Sequence, residues 1–569
     1  MFVDVIPNRN SNPTILIRKS ERIHGKPTKT TLANLTKLPK VVVDGIRILL
    51  KDGTAIESVE DAFDIQSNRP HGHVAAVLGI MKQLQIPELI ALKNTRFRRL
   101  ILGMIAARVI RPGSKLETSA MLDAHTASTT LNQELGLKRV DEDDLYDAMD
   151  ELLKRKTEIE CRLASRHLQD GSLVLYDVTS SYVEGEKNEW AAFGDNRDQK
   201  KGKKQVVYGW MTDSEGCPVS VEVFAGNTAD TATLPAQVEK IQTSFGLKQV
   251  VLVGDRGILK QKQIQDLPAG LDWITAMQKH ELREVVEQEG LQMSLFDEQD
   301  LVEVFSDLYP KERLVLCKNP LQAAKNQQTR DELLTKTEEK LDRIVEATQE
   351  GRLKDPGKIG LRVGKWVGKY KMKKFFTLEI REGHFSYTRN TQALAKAAQF
   401  DGLYAIRSSL KQDPEASELV THYKRLSKVE MAFRTLKSTS LQIRPIRHRT
   451  KDRVVAHVFL CMLAYYVEYH LRQRLAPMLF SEEETQAQRT TVVGPAKRSE
   501  LAKKKARTKR TQAGDKALSY DSLMEQLSKL CRLVVLPKLK SETTQPIVMF
   551  EQISSLQKQA FKLLNVKLL

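Results

Sequence analysis

Asp177, Asp255 and Glu430 are the side chains whose type and setting best suit them to chemistry. Asp177 interrupts Leu173-Val-Leu-Tyr-Asp-Val178, a short apolar run rich in β formers, as expected of a buried strand. Asp255 follows a second such run, Gln249-Val-Val-Leu-Val253, in the turn Gly254-Asp-Arg-Gly257. A carboxylate in such a place is costly unless it is paired or binds a metal. The competing reading of an isolated Asp at a strand end is a turn or helix cap. Glu430 lies in Tyr423-Lys-Arg-Leu-Ser-Lys-Val-Glu-Met-Ala-Phe-Arg-Thr-Leu-Lys437. Seven residues make almost two helical turns, so a helix here puts Tyr423, Glu430 and Lys437 on one stripe. Arg434 sits one turn from Glu430, close to the same line. A solvated face with i,i+4 pairing would account for Glu430 and Arg434 but not for Tyr423.

Three carboxylates on two strands and one late helix answer a specific problem. Phosphodiester hydrolysis needs both the attacking and the leaving oxygen stabilised. Two metal ions about 3.5–4 Å apart do this, and hard oxygen ligands suit Mg²⁺ or Mn²⁺. Cationic and hydroxyl groups on the same helix face would hold the neighbouring phosphates.

These residues need a scaffold, and the flanking text supplies one. After the run carrying Asp177 come Lys204–Met211 and Val219–Phe224, with Asp213-Ser-Glu-Gly216 between them as a hairpin turn. Thr231–Phe245 reads as a helix, and the strand ahead of Asp255 follows. The order is strand, strand, strand, helix, strand. Leu403–Ile406 reads as a strand re-entering this core, Asp413–Ser438 as one long helix, and residues 454–474 as an apolar helix.

Residues 1–165 are expected to be mainly helical and to bind DNA ends, with short β-rich runs such as Thr14–Ile17 and Val41–Val43 near the start. Helical periods fall in His73–Leu84, Thr95–Ile110 and Asp144–Leu163. Arg96, Arg98 and Arg99 read equally as a DNA contact or a solvated face. Residues 166–278 form the first part of an α/β core and 401–475 the second, with an insertion over 279–400. Within the insertion, Gln322–Leu353 is helical in period, while Phe375–Ile380 and Gly383–Tyr387 look like paired strands. Residues 476–569 form a basic C-terminal region for DNA contact or dimerisation. There Lys497–Arg510 is either a nucleic-acid contact, the favoured reading, or a solubilising run.

The net charge of +18 over 569 residues favours a polyanionic partner. No run of 18 apolar residues occurs, since Val454–Val467 is short and contains His457, so no membrane span is expected. Met1–Arg18 lacks the apolar core of a secretory signal. The five cysteines are scattered and odd in number, which fits a reducing cytoplasm and buried apolar roles. No P-loop or dinucleotide fingerprint is present.

Together the strand order, Asp177, the Gly254–Gly257 turn and the late helix resemble the DDE transposases of bacterial insertion sequences. One group of these carries a Tyr, Arg, Glu, Lys signature. Tyr423, Glu430 and Lys437 match it in spacing, while Leu426 stands at the Arg position. Leu441–His448, Ala456-His457 and Gly226–Asp230 also resemble the family. The resemblance implies an RNase H-like mixed-sheet core interrupted by a β-rich insertion. It implies Asp177, Asp255 and Glu430 as catalytic ligands of two Mg²⁺ ions, with Mn²⁺ able to substitute. Tyr423, Arg434 and Lys437 would contact DNA. It further implies strand cleavage at terminal inverted repeats of double-stranded DNA, strand transfer by the freed 3′-hydroxyl, a homodimer on DNA and a place at the bacterial nucleoid. In relatives the insertion carries an aromatic residue that manages a flipped base or hairpin, for which Trp366 is the candidate. A metal-dependent nuclease without strand transfer, or an inactive DNA-binding relative, would share the same fold.

Overall fold

The structure is a computed structural model. It describes residues 1–9, 11–23, 26–51, 63–291, 296, 300–411, 413–438, 440–480, 500–511, 514–538 and 545–567. The chain divides into two units, residues 1–72 with 527–554, and residues 73–526 with 555–569.

The first unit holds an antiparallel meander of β1 (Phe2–Ile6), β2 (Thr14–Ile23) and β3 (Lys26–Asn34), followed later by β4 (Phe63–Pro70). Val41–Val43, expected as a β run, lies instead in a helix, Lys40–Leu49. Pro39 leads into that helix with φ already near the helical value, and Val43 is the residue it buries. The strands of this unit mean that helix dominates the N-terminal region only from Gly72 onward.

The second unit begins with helices, among them Gly72–Gln83, Arg96–Ile110, Glu142–Lys154 and Lys156–His167. Asp144–Leu163, read as one period, is thus two helices broken at Arg155. An eight-stranded mixed sheet follows. Its strands are β5 (Ser172–Tyr182), β6 (Gln205–Thr212), β7 (Pro218–Phe224), β8 (Val250–Gly254), β9 (Leu271–Ala276), β10 (Leu301–Val304), β11 (Arg313–Lys318) and β14 (Leu403–Ser408). The order is β10-β11-β14-β9-β8-β5-β6-β7. β5, β6 and β7 are antiparallel neighbours, whereas β8 runs parallel to both β5 and β9. The β5–β8 pairing needs a long crossover, which the Asp230–Ser244 helical segment supplies.

Side-chain alternation on β5 fixes what faces what. Val174, Tyr176 and Val178 join Val207, Met211, Leu252, Ala164 and Leu168 in one core on one face of the sheet. Gly209 has no side chain because a Cβ there would strike the Tyr176 hydroxyl. Leu175, Asp177 and Thr179 therefore face the other side. That side is covered by two helices, Leu426–Lys437 and Lys451–Leu475. Trp210, the register partner of Asp177, packs between Phe433 at 5.6 Å and Tyr465 at 5.4 Å. Burying an aromatic of this size is worth about 3–5 kcal/mol on truncation.

Among the described residues, Lys451–Met478 is one helix long and apolar enough to cross a membrane. It is buried along most of its length within the fold.

The expected β-rich insertion is corrected. Residues 279–400 are dominated by the helices Lys279–Gln288, Pro320–Gln349, Pro356–Lys369 and Thr391–Gln399. Only the hairpin β12 (Phe376–Arg381) with β13 (His384–Arg389) stands apart as a sheet, because β10 and β11 extend the main one. Pro356–Lys369 is helical despite four glycines. Ile359, Val363 and Val367 recur every fourth residue and enter a core with Leu341, Phe376 and Phe385. That burial outweighs a cost of about 1 kcal/mol per glycine.

β15 (Cys531–Pro537) pairs with β4 and with β16 (Ile547–Phe550) in the first unit. Of Lys497–Arg510, residues 497–499 lie outside the described residues, and Glu500–Thr508 is a helix.

Candidate active site

Tyr176 of β5 stands in register with Gly254 of the parallel β8. Asp177 and Asp255 each come one residue later, so the two carboxylates emerge at the same level of adjacent strands, which lie about 4.8 Å apart. The Leu426–Lys437 helix crosses this level and brings Glu430. Asp177, Asp255 and Glu430 line one open cleft of about 560 Å³. Thr179, Arg197, Asp198, Asp230, Arg434, Lys437 and Arg444 complete its polar wall.

Depth separates the three carboxylates. Asp177 lies at the floor and is half-buried, whereas Asp255 and Glu430 are exposed. Burial, together with the charges of Asp255 and Glu430, pushes the Asp177 carboxyl up to about 7, against the Val178 N–H and the Arg197 guanidinium. The Val178 amide donates to Asp177 Oδ1 at 2.7 Å. Asp255 is set by its turn: its backbone carbonyl accepts from Ile258 and Leu259, and its Oδ1 from the Arg256 amide at 2.8 Å.

The expected long helix Asp413–Ser438 is two helices, Ala416–Lys424 and Leu426–Lys437. At Arg425 the ladder tightens to an i,i+3 bond, from the Lys428 amide to the Arg425 carbonyl. Neither Pro nor Gly causes the break. The Arg425 and Lys428 side chains instead reach Glu215 in the β6–β7 turn. Tyr423 therefore does not share a continuous stripe with Glu430, yet its hydroxyl still points to Asp255 Oδ1 at 3.4 Å. Burial and that carboxylate hold the Tyr423 phenol well above its ordinary value.

Lys437 is on the cleft wall but is engaged. It donates to Thr179 Oγ1 at 2.8 Å, to the Ser180 carbonyl at 2.6 Å and to Asp198 Oδ1 at 2.9 Å. Burial lowers its pKa, partly offset by Asp198. Arg434 is exposed and lies 3.5 Å from Glu430.

Sequence reasoning missed Arg197, Asp198, Asp230 and Arg444 as cleft residues. Arg197 donates to the Val178 carbonyl and to Asp230 at 2.5 Å. Asp198, 1% exposed, takes both Lys437 and Arg444. Asp230 and Arg444 lie in Gly226–Asp230 and Leu441–His448, text that matched the family without a role attached. Arg197 and Asp198 sit in a charged loop that reads as solvated.

Two other expectations meet different outcomes. Arg96, Arg98 and Arg99 all clamp neighbouring loops, through Asp144 and the carbonyls of Arg139, Ala91, Leu92 and Gly136. Trp366 is half-buried on the Pro356–Lys369 helix, with the Lys340, Lys365 and Lys369 ammonium groups 5.2–5.6 Å from its ring.

A family model described as "Transposase DDE domain" matches residues 168–467, more than half of the chain and the whole span from β5 to the Lys451–Leu475 helix. The chain belongs to this family of transposases. All three carboxylates of the transposase lie inside the matched span. No curated protein matches it. It is also similar to a piggyBac transposase solved by cryo-EM as a synaptic complex with hairpin DNA. The TM-score there is 0.34 and the identity 10%, over 80% of this chain and 76% of that one, too loose a likeness to bear on this transposase.

Proposed function

We propose that this transposase is that of a bacterial insertion sequence of the Tyr-Arg-Glu-Lys group, acting on double-stranded DNA at the nucleoid. In this reading it binds terminal inverted repeats as a dimer, cuts at the element's ends and joins the freed 3′-hydroxyl to target DNA. The observation that carries it is the cleft in which Asp177, Asp255 and Glu430 meet.

The strand order supports an RNase H-like core: three antiparallel strands, β7-β6-β5, continued by β8 and β9 parallel to β5. DDE transposases generally use divalent metal ions, and this donor set fits one. Its ligands are hard carboxylate oxygens. Asp177 is held protonation-prone by burial and by its two acidic neighbours, a strain that a cation relieves. Asp177, Asp255 and Glu430 would hold two Mg²⁺ ions, or Mn²⁺, which would supply charge stabilisation to the attacking and leaving oxygens.

The side chains have their own tasks. Tyr423, at 3.4 Å, orients Asp255. Arg434, exposed and held only by a 3.5 Å pairing with Glu430, would turn to a DNA phosphate. Lys437 fixes the wall from β5 to Asp198 and meets DNA only at that wall.

The test is strand cleavage of a labelled duplex carrying the gene's flanking end, with Mg²⁺, with EDTA, and with the Asp255→Asn variant in Mg²⁺. Cleavage confined to the unaltered protein with metal is expected. Equal cleavage by Asp255→Asn would refute the site. A pre-cut end with a free 3′-hydroxyl then separates strand transfer from plain nuclease action.

A further inference from the structure

On the helix-covered side of the hairpin β6–β7, three ligand-type atoms converge far from the carboxylates in chemistry. His167 ends the Lys156–His167 helix, Cys217 closes the β6–β7 turn, and His470 lies on the Lys451–Leu475 helix. Cys217 Sγ is 3.9 Å from His167 Nε2 and 3.9 Å from His470 Nε2. All three atoms lie within 4.8 Å of one another. We propose that His167, Cys217 and His470 form a structural Zn²⁺ site.

The spacing is slightly wider than a tetrahedral ion requires. Bonds of about 2.3 Å to sulfur and 2.0–2.1 Å to nitrogen put the two ligand types roughly 3.6 Å apart, so the three side chains would draw in by a few tenths of an ångström or more on binding. One thiolate with two imidazoles selects a soft or borderline ion rather than Mg²⁺. Cys217 is 1% exposed, and His167 and His470 are half-buried, so the ion would enter from the histidine side.

A second observation is independent of that spacing. Asp213 Oδ2 lies 3.4 Å from His167 Nδ1. With its Nδ1 proton directed to Asp213, His167 carries its lone pair on Nε2, the nitrogen that faces Cys217. Carboxylates in this position fix the tautomer of metal-bound histidines. Asp213 is itself fixed, because its Oδ1 accepts from the amides of Glu215 at 2.8 Å and Cys217 at 2.9 Å. The Tyr466 hydroxyl, 3.0 Å from His167 Nε2, occupies that lone pair in the metal-free protein and would give it up to the ion.

The site would staple three elements that are distant in sequence. The turn it anchors also holds Glu215, which pairs with Arg425 and Lys428 at the start of the Glu430 helix. Its role is therefore to brace the helix beneath the cleft, and it stands whether or not the carboxylates bind Mg²⁺.

The test uses full-length protein without a polyhistidine tag, loaded with Zn²⁺, dialysed and assayed for metal, and in parallel loaded with Co²⁺ for absorption. One equivalent of zinc per chain, a thiolate-to-cobalt charge-transfer band and a raised thermal midpoint are expected. Cys217→Ser and His470→Gln should lose the band. Asp213→Asn, which keeps the Oδ1 bonds of the turn, should weaken zinc affinity about 10–100-fold. Absence of both stoichiometric zinc and the cobalt band in the unaltered protein would overturn the proposal, even if a variant fails to fold. So would zinc retained equally by folded Cys217→Ser and His470→Gln.

Discussion

The Lys437 ammonium is 2.9 Å from the carboxylate of Asp198, a side chain only 1% exposed. A lysine so placed holds the protein together before it holds DNA. Lys437→Ala leaves Asp198 buried with Arg444 and the Tyr182 amide as its remaining partners. Removing one member of a buried pair costs about 3–5 kcal/mol, and the remaining partners place this case at the lower end. Arg434→Ala, at an exposed position, should change stability by less than about 0.5 kcal/mol. Chemical denaturation measures both. DNA affinity should fall for Arg434→Ala without any loss of stability.

Asp177 sets how metal binding responds to pH. Its carboxyl is pushed up to about 7, by burial first and then by Asp255 and Glu430. A metal must displace that proton, so acid opposes binding. Apparent Mg²⁺ affinity should weaken about tenfold per pH unit below 7 and level off above it. Isothermal titration at pH 5.5, 6.5, 7.5 and 8.5 reads this directly. A flat profile would mean that Asp177 is not a ligand.

How much of this was legible follows from what each residue signals on its own. Asp177 and Asp255 were visible because an acid inside or just after an apolar run is conspicuous. The break at Arg425 was not, since Lys-Arg-Leu-Ser contains no helix breaker and the ion pairs made there, to Glu215, reach a turn two hundred residues away. Asp198 was hidden for the same reason. It becomes buried only when Lys437 and Arg444, more than two hundred residues later, close over its loop. The β-rich insertion was implied by the family resemblance, and the Pro356–Lys369 helix within it is held by burial against distant residues that its four glycines do not reveal.

Beneath the sheet, Glu160 and Glu222 share Lys156 and Lys240 in a buried four-charge cluster, with Lys240 3.0 Å from Glu160 and 2.8 Å from Glu222. Glu160 also accepts from the Val221 amide of β7 at 2.9 Å. Glu160→Gln leaves both lysines short of a counter-charge and should cost about 3–5 kcal/mol. The double variant Glu160→Gln with Lys240→Met should recover part of that loss. An additive double variant in urea unfolding would show that the two groups do not interact.

A second buried cluster governs acid stability. Burial, then Lys115, Arg108 and Arg453, push the His448 imidazole down to about 3. His457, its ring tilted against that of His448 at 4.8 Å, is lowered well below its ordinary value by burial and by His448, Arg108 and Lys115. The other titratable neighbours are Lys115, lowered to about 7 by burial and then by Arg108, Cys461, whose thiol burial raises, and Tyr146, edge-on to His448. The unfolded histidines titrate near 6.5, so below that pH the unfolded chain binds protons that the folded chain refuses. The histidines' contribution is complete above about pH 6.5 and declines as pH falls toward 3, by about 1.4 kcal/mol per unit for each histidine, while that of Lys115 changes only above about pH 7. The thermal midpoint should therefore drop steeply between pH 6.5 and 4.5. His448→Gln should flatten that slope while leaving the midpoint at pH 8 nearly unchanged. An equally steep slope in the variant would place the acid sensitivity elsewhere.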